Sequence, residues 1–265
     1  MDAELIAFAQ ELASAARAET LHRWASGVTV EDKGSATFDP VTEADREAER
    51  VMRALIRSRF SEHGITGEEW PDEVRSTRCV WSLDPVDGTR SFICGLPTWV
   101  TLIAFLEDNE PRLGIVDAPV LGETYIGANG QAWLSGSRGR SVIVTSGCRS
   151  LAETRLSTTD PFLFGDPSDG PSSAFAAFER LRSVVRVTRF GHDGYAYARL
   201  AAGSIDLVIE SGLKPHDYNA LIPLVRGSGG HIGDWAGTEN FAAGAVIAAA
   251  TRQLYDEAVE LLARA

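Results

Sequence analysis

The chain has 265 residues, 44% of them hydrophobic and 23% charged, and a formal net charge of −12. That is the make-up of a globular protein able to bury a large core as one big domain or two modest ones, and the acidic excess argues against nucleic acid or an anionic membrane as a partner. No apolar run approaches a membrane span, Met1-Asp2-Ala3-Glu4-Leu5 lacks the basic region of a signal peptide, and Cys79, Cys94 and Cys148, with no CxxC spacing, read as free thiols of a reducing cytoplasm.

Apolar positions Leu5, Ile6, Phe8, Ala9 and Leu12 predict a helix over the first ~24 residues. Residues 27–40 are polar and irregular and read as a mobile loop or hairpin. Thr42 opens a second helix to about Phe60, with Val51, Met52, Leu55 and Ile56 on its inner face. Gly64-Ile65-Thr66-Gly67 then leads to Glu68-Glu69-Trp70-Pro71, and the β-rich run Cys79-Val80-Trp81-Ser82-Leu83 leads to Asp84-Pro85-Val86-Asp87-Gly88-Thr89. Short strands are expected at 100–106, 112–116, 123–127 and 132–134. A Gly-, Ser- and Arg-rich seam follows at 135–140. Beyond it the pattern predicts strands at 142–145, 155–158 and 184–188, a helix at 194–202, a strand at 205–210, a helix at 217–226, strands at 230–233 and 245–250, and a last helix at 254–265. Alternation of this kind predicts layered α/β packing.

The most informative stretch is Asp84 to Thr89. It places two acids on a turn at the end of a buried strand, where open sheets usually bind ligands. Pro85 fixes its own backbone and pushes Asp84 toward an extended conformation. Asp84, Asp87 and the Val86 carbonyl can then face one point, which suits a hard cation such as Mg²⁺. Bound cations would also reverse the field that a net charge of −12 presents to an anionic substrate. Gly88 lets a bound group approach closely, and the amides of Gly88 and Thr89 can hold a phosphate if a helix starts there. Other acids are ambiguous taken singly. Glu68 and Glu69 form a loop end, Thr42-x-x-Asp45 is a capping box, and Asp217 follows Pro215 as a helix-start carboxylate. The five histidines show no zinc-enzyme spacing. Tyr195 and Tyr197 read as packing, and Gly227-Ser228-Gly229-Gly230 as a helix end.

Taken in order, Val41-Thr42-Glu43-Ala44-Asp45, Gly67-Glu68-Glu69, Asp84-Pro85-Val86-Asp87-Gly88-Thr89 and Asp217 with its apolar helix and Gly229-Gly230 resemble the inositol monophosphatase family of Mg²⁺-dependent phosphatases. Leu213-Lys214-Pro215-His216-Asp217, Ala220-Leu221-Ile222-Pro223, Arg90-Ser91-Phe92-Ile93, the stretch 113–123 and Tyr195-Ala196-Tyr197 are similar to its histidinol-phosphate phosphatase branch, although His216 stands where an aromatic is commoner. The resemblance implies an α/β layered αβαβα sandwich of the inositol monophosphatase and fructose-1,6-bisphosphatase type. It would be a single phosphatase unit over 1–265, with subdomains of about 1–138 and 139–265 and the site in the cleft between them. It also implies two or three Mg²⁺ ions: Glu68, Asp84 and the Val86 carbonyl for one, Asp84, Asp87 and Asp217 for a second, and Glu68 through water for a weaker third. Asp45 and Thr89 would orient and deprotonate the attacking water, and the amides of Gly88 and Thr89 would bind phosphate. Asp193, Glu210 and Arg90 would contact the organic part of the substrate. Lys33 of the 27–40 loop is expected to reach the phosphate. The reaction implied is hydrolysis of L-histidinol phosphate in a cytoplasmic homodimer, with no nucleic-acid or membrane partner. The alternatives are an inositol or other sugar monophosphatase on the same scaffold and a metal-binding relative without catalysis. A glycosidase fits poorly, because acids three residues apart leave little room for a sugar.

Overall fold

Apolar side chains spaced one helical turn apart set the first layer. A computed structural model of the chain describes residues 3–26, 30–32, 40–170 and 173–263. Helix α1 (Ala3–Ser26) buries Phe8, Leu12 and Ala16, and α2 (Glu43–Arg59) buries Ala48, Met52 and Ile56. Both sets repeat every four residues, so each forms one stripe. Between the helices, β1 (Val30–Asp32) pairs antiparallel with β2 (Pro40–Thr42). Lys33 and most of the 27–40 loop lie outside the described residues.

Seven strands form the first sheet in chain order: β3 (Gly64–Gly67), β4 (Cys79–Asp87), β5 (Val100–Glu107), β6 (Glu110–Ala118), β7 (Glu123–Ala128), β8 (Gln131–Gly136) and β9 (Gly139–Val142). Only β3 and β4 run parallel within it. A one-turn helix α3 (Thr89–Ile93) follows β4. The rest of the chain supplies β10 (Arg155–Thr158), α4 (Ala174–Val184), β11 (Val187–Phe190), α5 (Asp193–Ala201), β12 (Leu207–Glu210), α6 (Pro215–Tyr218), α7 (Leu221–Gly227), β13 (His231–Asp234), β14 (Val246–Ala249) and α8 (Arg252–Leu262). Its five strands are ordered β11-β10-β12-β14-β13.

Strand alternation distributes side chains between layers. On β5, Ile103 and Phe105 join Phe8, Leu12 and Met52 under α1 and α2, while Leu102 and Ala104 face Leu200, Leu221 and Leu224 of α5 and α7. On β14, Val246 and Ala248 face that same middle layer, while Ile247 and Ala249 meet Phe178, Leu254 and Tyr255 of α4 and α8. The result is an αβαβα sandwich in which both sheets are covered on both faces. That is why their strands read as near-continuous apolar runs. Each fully buried aliphatic side chain stabilises the fold by ~1.5–3 kcal/mol. α7 lies hard against β6, because a Cβ on Gly114 would collide with the Ala220 carbonyl oxygen. Among the described residues no helix is long and apolar enough to cross a membrane.

Four expectations need correction. The segment 135–140 is a hairpin that adds β9 to the first sheet, and residues 143–150 that follow carry no strand. The strand expected at 184–188 is the end of α4 and then β11, because Ser173 caps a helix whose buried face is Ala177, Phe178 and Leu181. The helix expected over 217–226 is two pieces, since Pro215 starts α6 early and the chain turns before α7. β4 also does not stop at Leu83 but continues through the acidic motif to Asp87.

Candidate active site

The sheet itself aims the two central acids. Along β4, Asp84 pairs with Leu102 and Asp87 with Val100, so three steps on one strand oppose two on the next. In a regular strand, residues three apart point to opposite faces; the bulge restores them to one face. The Asp84-Pro85-Val86-Asp87 stretch is therefore a bulged strand and not the terminal turn expected from its sequence. Pro85 sits where its missing N–H costs nothing, and its carbonyl accepts Thr101 Oγ1 at 2.8 Å. Val86 N donates to Asp84 Oδ1 at 3.1 Å, and Thr89 Oγ1 donates to the Val86 carbonyl at 3.1 Å. Gly88 turns the chain with φ 86°, a left-handed conformation natural to glycine, and α3 begins at Thr89.

Asp217 arrives from the other end of the chain on α6. It occupies the third helical position, where Oδ2 accepts the Lys214 amide at 2.6 Å. One oxygen each from Asp84, Asp87 and Asp217 lie within 4.8 Å of one another. Asn219 Nδ2 donates to Ser82 Oγ at 3.2 Å and ties this segment to β4. Asp87 is also held by the second half of the chain, because the Gly194 amide at the start of α5 donates to its Oδ2 at 2.5 Å.

The two oxygens of Asp45 differ in their surroundings. Its Oδ2 accepts the Thr42 amide at 2.9 Å and the Thr42 hydroxyl, completing the capping box of α2. Its Oδ1 is buried without a hydrogen-bond partner. Burial, with the Glu68 charge adding to it, pushes the Asp45 carboxyl up to about 6. Glu68 follows the last residue of β3, which pairs in parallel with β4 at Leu83. Burial raises Asp84 well above the ordinary range, and the neighbours that act on it most are Glu68, Asp87, Asp217 and Asp45. Asp87 is raised by burial and by Asp193 and Asp217. Asp45, Asp84, Asp87 and Asp217 are thus all raised in a single crevice, with the Glu68 charge acting on each of them, and hard oxygen donors in that arrangement fit divalent cations.

A cavity of about 280 Å³ opens beside the cluster, lined among others by Gly88, Thr89, Asp193, Tyr197 and Glu210. Asp193 opens α5 with φ 45° and reaches Ser91 Oγ at 3.5 Å. Its carboxyl is raised by burial. Glu210 ends β12. Its Oε1 accepts the amide and hydroxyl of Thr159 at 2.8 and 3.0 Å, while Oε2 is buried and unpartnered. Burial and the Asp193 charge push Glu210 up to about 8. Arg90 stands at the rim, 58% exposed, with Nη1 3.9 Å from Asp160 Oδ2. His216 is not in the cavity wall; its Nε2 lies 3.4 Å from Asp217 Oδ1. Two lining residues were not evident from sequence. Thr159 carries no charge pattern and reaches Glu210 only because β10 and β12 are neighbours. Tyr197, read as packing, is buried with its hydroxyl unpartnered. A tyrosine on an inner face otherwise made of glycine, alanine and leucine was the available signal.

The sandwich and its acidic crevice define a class of layered α/β proteins suited to holding cations against a small substrate. A family model described as the inositol monophosphatase family matches residues 1–265. The chain belongs to the inositol monophosphatase family, a family of phosphatases. It is 45% identical over 203 residues to the chloroplastic bifunctional phosphatase IMPL2 of Arabidopsis thaliana, a match covering 76% of this chain and 56% of that protein. It is 32% identical over 257 residues to a histidinol-phosphatase of Mycobacterium tuberculosis, covering 95% of both. Among solved structures, an inositol monophosphatase from Zymomonas mobilis superposes with a TM-score of 0.84 at 36% identity, covering 99% of both chains.

Proposed function

We propose that the protein is a Mg²⁺-dependent phosphomonoesterase that hydrolyses L-histidinol phosphate to L-histidinol and phosphate. The observation that carries the substrate class is the pair of acids in the cavity beside the cluster, the buried Glu210 and the half-buried Asp193. Glu210 Oε2 has no partner, and a cationic amine or imidazolium would satisfy it and draw both carboxyls into their charged forms. The similarity to a histidinol-phosphatase over 95% of both chains supports the same choice.

Glu68, Asp84 and the Val86 carbonyl would hold one cation, Asp84, Asp87 and Asp217 a second, and Glu68 a weaker third. The Val86 carbonyl has a second lone pair beyond the one that accepts Thr89. When bound, the ions supply charge neutralisation of the dianionic ester and of its leaving oxygen and make water more acidic. Asp45, with its free Oδ1 and a carboxyl that is ionised at neutral pH, accepts a proton from the attacking water. The Thr89 hydroxyl directs its own proton to Val86 and so offers a lone pair that orients the same water. The amides of Gly88 and Thr89 hold the phosphate at the left-handed turn, and Arg90 meets the substrate at the rim. Water, its proton taken by Asp45, adds to phosphorus as the ester P–O bond breaks, the leaving oxygen takes up a proton from solvent to give the alcohol, and no covalent nucleophile is needed.

The similarity to the Zymomonas mobilis inositol monophosphatase structure favours a second reading, a sugar-phosphate monophosphatase on the same scaffold. Side-by-side kcat/KM on L-histidinol phosphate and myo-inositol 1-phosphate tests the two. At least about tenfold preference for histidinol phosphate is expected, because a site built around buried polar groups rejects ligands that leave them unpaired. Equal or reversed preference would move the assignment to the second reading.

A further inference from the structure

Two charged side chains that the proposed chemistry does not use hold the Glu68 loop from behind. Glu49 and Arg53 stand one turn apart on α2 and are 0% and 2% exposed. Glu49 Oε2 accepts the Glu69 amide at 2.8 Å, and its Oε1 accepts the Trp70 amide at 3.3 Å and Arg53 Nε at 2.8 Å. Arg53 in turn donates through Nη2 to the Trp70 carbonyl at 2.9 Å and through Nη1 to the Pro71 carbonyl at 3.1 Å. Backbone from 69 to 71 is thus wrapped around a buried ion pair, and Gly67 leaves the room for it. A Cβ on Gly67 would lie 2.6 Å from Glu49 Cδ and 2.9 Å from Arg53 Nη2. Asp45, Glu49 and Arg53 follow one another at four-residue steps, so they share one face of α2.

A buried ion pair is a poor space filler, since an apolar pair of the same volume is often as stable or more so. Here every strong donor and acceptor of the pair is directed at the loop, at its neighbour or at Glu73. We infer that Glu49 and Arg53 are positioning residues that fix Glu68 relative to Asp45 and Asp84, so that one helix sets the geometry of the cation-binding crevice. This rests on the proposed role of Glu68 as a cation ligand. Residues of this kind act through the ligand they hold, and their loss weakens metal binding about 10- to 100-fold.

The test compares wild type, Glu68→Gln, Glu49→Met/Arg53→Met and Arg53→Lys. The methionine pair fills the volume without charge. The lysine variant keeps the ion pair but loses the fork to the two carbonyls. Mn²⁺ binding is measured directly by electron paramagnetic resonance, Mg²⁺ half-saturation by phosphate release, and folding by melting in EDTA. Glu68→Gln and the methionine pair are each expected to weaken Mn²⁺ binding by about tenfold or more, and Arg53→Lys by several-fold. Added to Glu68→Gln, the methionine pair should weaken binding no more than about twofold further, because both changes act on the same ligand. Wild-type Mn²⁺ affinity in folded Glu49→Met/Arg53→Met or Arg53→Lys protein overturns the inference, and so does a fully additive loss in the Glu68→Gln background. Unchanged affinity in Glu68→Gln alone overturns instead the ligand role on which the inference rests.

Discussion

A carboxylate buried among other carboxylates is unfavourable until something removes its charge. Asp84 is the extreme case here, with burial and four acidic neighbours all acting against ionisation. Replacing it with asparagine keeps an acceptor for the Val86 amide but removes the charge. Asp84→Asn is therefore expected to lower turnover by at least about 100-fold and yet to raise the melting temperature of the EDTA-treated protein at pH 7.5, by ~2–4 °C for each kcal/mol of repulsion relieved. A lower metal-free melting temperature would show that the cluster is not a site of stored repulsion. At Glu210, the free Oε2 points to substrate recognition. Glu210→Gln should cut kcat/KM on histidinol phosphate about 10- to 100-fold, the worth of a hydrogen bond to a charged group, while sparing p-nitrophenyl phosphate, which has no amine to bind. Equal losses on both substrates would place Glu210 in the chemistry itself. At this scale the sequence was legible where residue types are chemically costly. Asp84 and Asp87 announced themselves because two acids on one strand end repel without a cation. Asp45 was ambiguous because its two oxygens differ: one caps the helix, as the capping-box pattern said, and the other is buried without a partner, which no sequence pattern shows.

Elements differ in how much they reveal, because some owe their form to local chemistry and some to neighbours. α1 and α2 were readable from apolar stripes, and β5 to β8 from runs broken by Asp108-Asn109 and Gly122 turns. The bulge in β4 was not readable, since it exists only in register against β5. β9 depends in the same way on pairing with β8, and α4 on the serine cap and on packing against α8. The seating of α7 on the first sheet gives an element-scale prediction. Gly114→Ala should push Ala220 away from β6, with a stability loss of ~1–3 kcal/mol from overpacking. Because Ala220 follows Asp217 by three residues, the variant should also need several-fold more Mg²⁺ for half-maximal activity, read from a metal titration at saturating substrate. Loss of stability with an unchanged Mg²⁺ requirement would mean that α6 holds its place independently of α7.

For the molecule as a whole, the acids divide into two populations. Asp206, paired with Arg155, and Glu73, paired with Arg57, sit below the ordinary carboxylate range, so their contribution is present above their unfolded values and is lost as pH falls through the folded ones. Asp45, Asp84, Asp87, Asp193, Glu210 and Asp217 are all raised. Their folded forms bind protons more tightly than the unfolded chain does. Stability from them is thus complete below the unfolded values near 3.8 and 4.5 and is lost as pH rises through folded values that reach about 6 at Asp45 and about 8 at Glu210. Metal-free protein should therefore melt highest near pH 5 and lower at pH 8, and Mg²⁺ should raise the melting temperature most at pH 8. A Mg²⁺ shift independent of pH would contradict this account.

The meeting of Asp84 and Asp87 with Asp217 also bears on how the polypeptide is made. Two of these acids leave the ribosome long before the third, with some 130 intervening positions still to be translated. A growing chain holding only the first sheet has an incomplete nest of repelling charges and lacks the Asp217 carboxylate that the proposed second cation needs. On the proposed ligand scheme the second cation has to await the stretch around Asp217, so it would act as a late seal between the two sheets and not as a template for the first.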